Sequence, residues 1–293
     1  MAQQKVQLRK LRDFGENLSD TFQFIRQEFK PLATSFVLIS GVFIMAQSVV
    51  AGLYEARLFS VFDDLAKGGA LQPREISDVF SFTYFLVLAL SLLTLTVMHV
   101  SIAAYMKYYD EHGNSPSFSE VWNGTKRYFI KVFFFSIPVY LLIIAGLILC
   151  LLPGIYFAVV LIPFPYVIVM EDASFGEAFN RCFIIVKENF WISLGIYFVT
   201  YLIYSFSSGI ISFITGILAG LISYFSTKEI GSSAGIATSV INAVSYLFYI
   251  IYFISVALHY FNLAERTDGT GIARRLESIG SNINPNTNIE EQY

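Results

Sequence analysis

The stretch DFGE at 13–16 decides how this chain is read, because two close copies recur, SFSE at 117–120 and SFGE at 174–177. Each precedes a short amphipathic segment and then a long hydrophobic run. An Asp or Ser whose side chain accepts from the third helical N–H, with a Glu there reaching back to the cap's own N–H, forms a capping box. Asp13 with Glu16, Ser117 with Glu120 and Ser174 with Glu177 have that spacing, the first as an Asp variant. Each predicts a helix start. Beyond the caps, Phe14, Leu18, Phe22, Ile25 and Phe29 keep the same helical spacing as Phe175, Phe179, Phe183, Val186 and Phe190, which places each set on one face. Arg26 and Lys187 stand at equivalent places in the two copies. The middle copy keeps the stripe through Phe118, Trp122, Phe129 and Phe133, with Lys126 interrupting it.

The hydrophobic runs beyond the caps set the solvent. The chain is 55% hydrophobic, 17% aromatic and 14% charged, with a mean hydropathy of +0.61; a soluble domain carries about 25% charged residues. Crossing a bilayer takes roughly 20 apolar residues. Leu32 to Tyr54 has no charge, Phe80 to Met106 has only His99, and Val132 to Leu152 is uncharged. Pro153-Gly154 predicts a tight reversal, after which Ile155 to Met170 returns with Pro163 and Pro165 inside, predicting a kink. The last clear span covers about Ile236 to Leu263. Between them, Phe190 to Phe225 is uncharged but interrupted by SSG at 207–209. It reads either as one span plus a re-entrant or interfacial half-helix, or as two short spans.

Lys and Arg accumulate in cytoplasmic segments and so assign the sides. With six spans the inner side holds Lys5, Arg9, Lys10, Arg12, Arg26, Lys30, Lys107, Lys126, Arg127, Lys131, Arg181, Lys187, Arg266, Arg274 and Arg275. The outer side holds Arg57, Lys67, Arg74 and Lys228, a split of 15 to 4; seven spans give 13 to 6. Six spans with both termini cytoplasmic is the better layout. All three caps then lie on the cytoplasmic side. The expected fold is an all-α integral membrane domain over 1–264, with six transmembrane helices. They form three units of amphipathic in-plane helix plus transmembrane hairpin, at about 10–106, 107–170 and 171–264. The first apolar stretch starts far enough in to be a retained span rather than a cleaved signal. Residues 268–293 are expected to be a disordered cytoplasmic tail. Cys150 and Cys182 fall in different compartments under this topology and cannot pair.

Signals for chemistry are sparse. The spans carry no Asp, Glu, Lys or Arg, the residues that mark proton or ion pathways. His99 and His259 are their ionisable groups. Three histidines without metal spacing, no phosphate-binding glycine loop and no nucleophile motif predict no metal, no cofactor and no enzyme. Nothing points to nucleic acid. Glycines at 146, 195, 209, 216 and 220 suit close helix approach. Tyr197, Tyr201 and Tyr204 share one face of the fifth span, and Tyr246, Tyr249 and Tyr252 a face of the sixth. With His259 these tyrosines are candidates to line an amphipathic groove, or to act as packing and interfacial anchors.

The stretch LLPGIYFAVVLIPFPYVIVMEDASFGEAFNRCFIIVKENFWISLGIYF (151–198), with YFNLAERTDG at 260–269, resembles the membrane domain of bacterial glycerophosphoryl diester phosphodiesterases and its stand-alone six-span relatives. The matching elements are the PGIY turn, Glu171, Ala178 with Arg181, then Lys187, Phe190, Trp191 and Gly195; Tyr260, Phe261, Leu263 and Arg266 match more loosely. The resemblance implies a bacterial inner-membrane protein. It does not imply phosphodiesterase activity, which in that family belongs to a separate soluble barrel for which this chain has no room.

Two classes of function are compatible with these signals. One is a non-enzymatic protein that binds lipid, organises the envelope or scaffolds a partner. The other is a facilitator or permease for a small amphiphile, with the kinked fourth and broken fifth helices near a midplane site. Membrane lipids are the expected partners. Any headgroup site is expected at the inner rim, where Glu171, Arg181, Lys187 and Arg266 would meet, with Arg181 or Lys187 on phosphate.

Overall fold

The computed structural model describes residues 5–66, 79–225, 241 and 243–269. The expected disordered tail beyond Gly269, with Arg274 and Arg275, lies outside the described residues, as do Lys67, Arg74, Lys228 and the expected start of the last span. Every regular element among the described residues is helical: α1 (Phe14–Ala66), α2 (Phe82–His112), α3 (Phe118–Leu149), α4 (Leu151–Leu161), α5 (Phe164–Glu171), α6 (Phe175–Val186), α7 (Phe190–Phe225) and α8 (Tyr249–Asp268). Short 3₁₀ turns, Lys187–Asn189 and Ala243–Phe248, lead into α7 and α8. By length and composition six stretches can cross a membrane: Phe14–Leu58, Phe82–His112, Phe118–Leu149, Leu151–Glu171, Phe175–Leu218 and Ala243–Asp268. The described residues are thus all-helical, and the six apolar helices have the character of a multi-pass membrane protein.

The three capping boxes open α1, α3 and α6. Asp13 N–H donates to Glu16 (3.1 Å) while Glu16 N–H donates to Asp13 (2.7 Å). Ser117 N–H donates to Glu120 (2.7 Å), and Glu120 N–H returns to the Ser117 hydroxyl (3.4 Å). At Ser174 both the N–H (2.8 Å) and the hydroxyl (2.7 Å) donate to Glu177.

Downstream of the caps, two of the three units depart from expectation. α1 runs unbroken for 53 residues and α3 for 32. The amphipathic segment and the span are therefore one helix in each. At 1.5 Å per residue α1 is about 80 Å long, over twice the roughly 30 Å hydrocarbon layer. The join at Lys30-Pro31-Leu32 carries no cap or glycine, and Pro31 is absorbed inside the helix. Only α6 is set apart from its span, by the 3₁₀ turn at Lys187–Asn189.

Three further local expectations are settled by backbone chemistry. The reversal between α3 and α4 sits at Cys150, in extended conformation (φ −164°, ψ 132°), rather than at Pro153-Gly154. Pro153 stands in the first turn of α4, where a missing N–H is harmless. Gly154 lies directly against α3, where a Cβ would fall 2.5 Å from the Leu147 nitrogen. The expected kink is present: α4 ends at Leu161 and α5 begins at Phe164, with Pro163 capping it and Pro165 in its first turn. SSG at 207–209 does not break α7, which is one helix of 36 residues in place of either expected arrangement. The Ser207 hydroxyl donates back to Ile203 O (2.8 Å) and that of Ser208 to Ser205 O (3.2 Å), so both polar side chains are satisfied within the helix.

The core lies where α2, α5 and α8 meet, with α1 alongside. Val100, Ala103, Met106, Tyr166, Val167, Phe253, Leu258 and Phe261 are completely or almost completely buried there. At the α3–α4 turn the surface is apolar instead: Ile148, Leu149 and Leu152 are 79%, 84% and 76% exposed. A continuous patch of that kind suits lipid rather than water.

At the capped end the arm before α1 is stitched to distant helices. The Arg9 guanidinium donates to Asp110 of α2 (2.9 Å) and lies over the Phe261 ring of α8. Arg12 N–H donates to the Asn262 side-chain oxygen (2.9 Å), and the Asn262 amide donates back to Arg12 O (3.0 Å). Lys5 reaches Gly113 O (3.0 Å) beyond α2. One layer further in, Tyr105 donates to the buried Glu28 carboxylate (2.7 Å). Tyr105→Phe leaves that carboxylate without its donor and is expected to lower stability by about 1–3 kcal/mol. Thermal unfolding in detergent measures it, and an unchanged midpoint would refute it.

Candidate functional site

The proline break in the fourth span has a consequence for packing. Neither Pro163 nor Pro165 offers an N–H, so α4 and α5 do not continue one axis smoothly. Beside the break a partly open cavity of about 270 Å³ is bounded by α2, α3, the α4–α5 junction and α8. Leu95, Val139, Ile143, Leu161 and Phe253 supply most of its wall; His99, Ser136, Tyr140, Tyr249 and Tyr252 supply its polar groups. No Asp, Glu, Lys or Arg lines it. His99 is positioned edge-on to the Phe253 ring (4.4 Å between centroids, 76°) and lies 6.0 Å from the Tyr166 ring. Tyr166 is held in turn by donating to Phe253 O (2.9 Å), which fixes α5 to α8 at the back of the cavity. Such a site offers shape, apolar contact and uncharged hydrogen bonding.

The tyrosine stripes adjoin this cavity, the one on α8 giving it Tyr249 and Tyr252. Tyr204 stacks on Tyr249 with centroids 3.8 Å apart, and Tyr201 lies 6.5 Å from Tyr252. Tyr197 packs edge-on to His259 at 5.4 Å. These rings meet across the α7–α8 seam, with Tyr201 exposed at its edge, so the two stripes pack on each other where a groove was expected. Of the candidate groove residues Tyr197, Tyr201, Tyr204, Tyr249 and His259, only Tyr249 also lines the cavity. His259 is fully buried, with Nε2 2.8 Å from the Ser193 hydroxyl.

The four candidate headgroup contacts are divided. Glu171 and Arg181 come together at 3.1 Å, Arg181 also donates to Asp268, and Tyr260 donates to Glu171 (2.8 Å). This network ties the ends of α5 and α8 to α6. Arg181 already faces two carboxylates, which leaves it little positive field for a phosphate. Arg266 turns the other way, to Arg12 O (2.9 Å) and Asn262 (3.3 Å). Lys187 is exposed and makes no hydrogen bond or ion pair with the described residues.

Several residues of consequence carry little sequence signal. Ser136 and Tyr140 are ordinary members of an apolar run. Asn262 stands out as the one amide in YFNLA, and Glu28 as a carboxylate one position from the apolar stripe. The useful signal for the cavity was the Pro163/Pro165 pair together with His99. Among the described residues no group of three or more His, Cys, Asp and Glu is placed to hold a metal ion. Comparison with protein-family models, with curated proteins and with solved structures yields no match for this chain.

Proposed function

We propose that this chain is a multi-pass inner-membrane protein that binds an amphiphilic lipid without transforming it, at the cavity beside the proline break. The observation that carries this reading is the cavity itself: about 270 Å³, apolar in its walls, with a few uncharged polar groups converging from α2, α3 and α8. That composition matches a ligand with an apolar body and a small polar end.

The same reading extends to topology. The contacts of Arg9 with Asp110, Arg12 with Asn262, Arg127 with Asp172 and Arg181 with Glu171 gather the three capped starts and the ends of α2, α5 and α8 at one end of the bundle. That end is rich in Lys and Arg, which favours the cytoplasmic face for it and for both termini. The role of an in-plane helix then falls to α6, the capped helix that a turn separates from its span.

Native mass spectrometry of the full chain in mild detergent tests the proposal. Ala158, on the cavity wall, is replaced by Phe to fill the space. Retained lipid is expected to fall at least about tenfold, equivalent to 1.4 kcal/mol, with helix content and elution volume unchanged. Equal retention would refute the assignment. A facilitator for a small amphiphile is the second reading, favoured by the broken α4–α5 span at the cavity. Flux of a defined solute through proteoliposomes, abolished by Ala158→Phe, would establish that reading in place of the first.

A further inference from the structure

We infer that the cavity is built for a neutral, hydroxyl-bearing aliphatic ligand, a long-chain alcohol whose polar end is held by His99; this rests on the cavity being the binding site proposed above. Four polar side chains on its wall, His99 of α2, Ser136 and Tyr140 of α3 and Tyr252 of α8, make no hydrogen bond with the described residues. Other side-chain atoms without a partner, such as Ser40 Oγ, Gln47 Oε1 and Tyr109 Oη, are buried away from this cavity. Thr96, Thr125, Thr200 and Ser207 each return their hydroxyl to a carbonyl four residues earlier, at 2.7–2.8 Å. Ser136 sits in the same kind of helix and does not.

Inside a bilayer an unsatisfied polar group is expensive, because no bulk water replaces the missing partner. Several converging on one cavity imply a shared partner. The partner is neutral, since no side chain of the lining carries a formal charge to balance a phosphate or carboxylate. It both donates and accepts. A neutral imidazole presents one donor and one acceptor, and the Ser and Tyr hydroxyls present both as well. A ligand hydroxyl complements any of these arrangements. The rest of the ligand is slender and apolar. At about 30 Å³ per water-sized unit, the 270 Å³ holds one hydroxyl and the first eight or so carbons of a chain, roughly.

The test uses the full chain in phosphatidylcholine nanodiscs with three photoreactive, alkyne-tagged probes of equal length: hexadecanol, hexadecane and hexadecanoic acid, each with a diazirine near the polar or corresponding end. Labelled peptides are mapped by mass spectrometry. The alcohol is expected to label the segment 158–165 about fivefold more than the hydrocarbon, the ratio one net hydrogen bond supplies. His99→Phe is expected to bring the alcohol down to the hydrocarbon level, and Tyr140→Phe to lower it in part. The second variant decides the matter should the first fail to fold. Equal labelling by alcohol and hydrocarbon, or labelling indifferent to both variants, would overturn the hydroxyl assignment while leaving lipid binding intact. Strongest labelling by the acid would overturn the neutrality of the ligand. Absence of all three probes from 158–165 would remove the cavity as a binding site and with it the function proposed for it.

Discussion

Arg12→Ala is expected to remove about 3–5 kcal/mol of stability, the usual loss when one member of a buried ion pair is deleted. The Arg12 side chain is fully buried, and its Nε donates to Asp20 at 2.8 Å. The remaining guanidinium donors go to main-chain oxygens of the arm: Leu8 O (2.7 Å), Lys10 O (3.2 Å) and Gln7 O. An alanine leaves the Asp20 carboxylate, 18% exposed, with no cation and the carbonyls with no donor. The arm then loses the fold that presents Arg12 N–H to Asn262, and α1 is untied from α8. A lower unfolding midpoint in detergent should be accompanied by faster proteolysis before residue 13. Lys10→Ala is the control. Its pair with Glu16 is largely exposed, 38% and 45%, and the variant is expected to leave the unfolding midpoint nearly unchanged. If the two variants behave alike, the arm does not fasten α1 to α8.

Arg12 also shows where reading the sequence stops. Its importance depends on Asn262, 250 residues away, and no local pattern encodes that meeting. The caps were legible because a capping box is closed by two hydrogen bonds within four residues, so spacing alone specifies it. The proline kink was legible for the same reason, since the defect is covalent. By contrast, the change from amphipathic to apolar at Lys30–Leu32 is a change of surroundings and leaves the backbone free to continue as one helix. SSG looked like a break because Ser and Gly are poor helix formers, yet Ser207 and Ser208 found carbonyls within α7. The tyrosine stripes follow from helical spacing, but a face does not say what covers it. Here the stripes pack on each other in part, while Tyr249 and Tyr252 also face the cavity and Tyr201 stays exposed. The cavity arises from the same prolines that predicted the kink, and its polar lining became visible only once α3 was set beside α2 and α8.

Gly154→Ala is expected to destabilise by about 1–3 kcal/mol, the range for overpacking a close contact, although alanine is the better helix former by about 1 kcal/mol. A Cβ at 154 would stand 2.5 Å from the Leu147 nitrogen and 2.6 Å from its Cγ and Cδ2. The Leu147 side chain can rotate away, but its nitrogen belongs to the α3 backbone and cannot. The start of α4 must therefore lift off α3. Gly146 faces Gly154 from the other side, where an added Cβ would lie 3.0 Å from the Gly154 Cα, so the approach is matched on both helices. Gly209 and Gly216 in α7 were candidates for the same role, yet neither has anything within 4 Å of an added Cβ. Gly209→Ala is expected to stabilise by about 0.5–1 kcal/mol, the opposite sign from the same chemical change at 154. Unfolding midpoints of the two variants in one detergent decide the matter, and a shift in the same direction for both would contradict it. Because α4 carries Ala158 and Leu161 to the cavity wall, lifting its start also displaces that wall. Gly154→Ala should then reduce retained lipid where Gly209→Ala does not, which couples the tightest backbone contact near the α3–α4 turn to occupancy of the site.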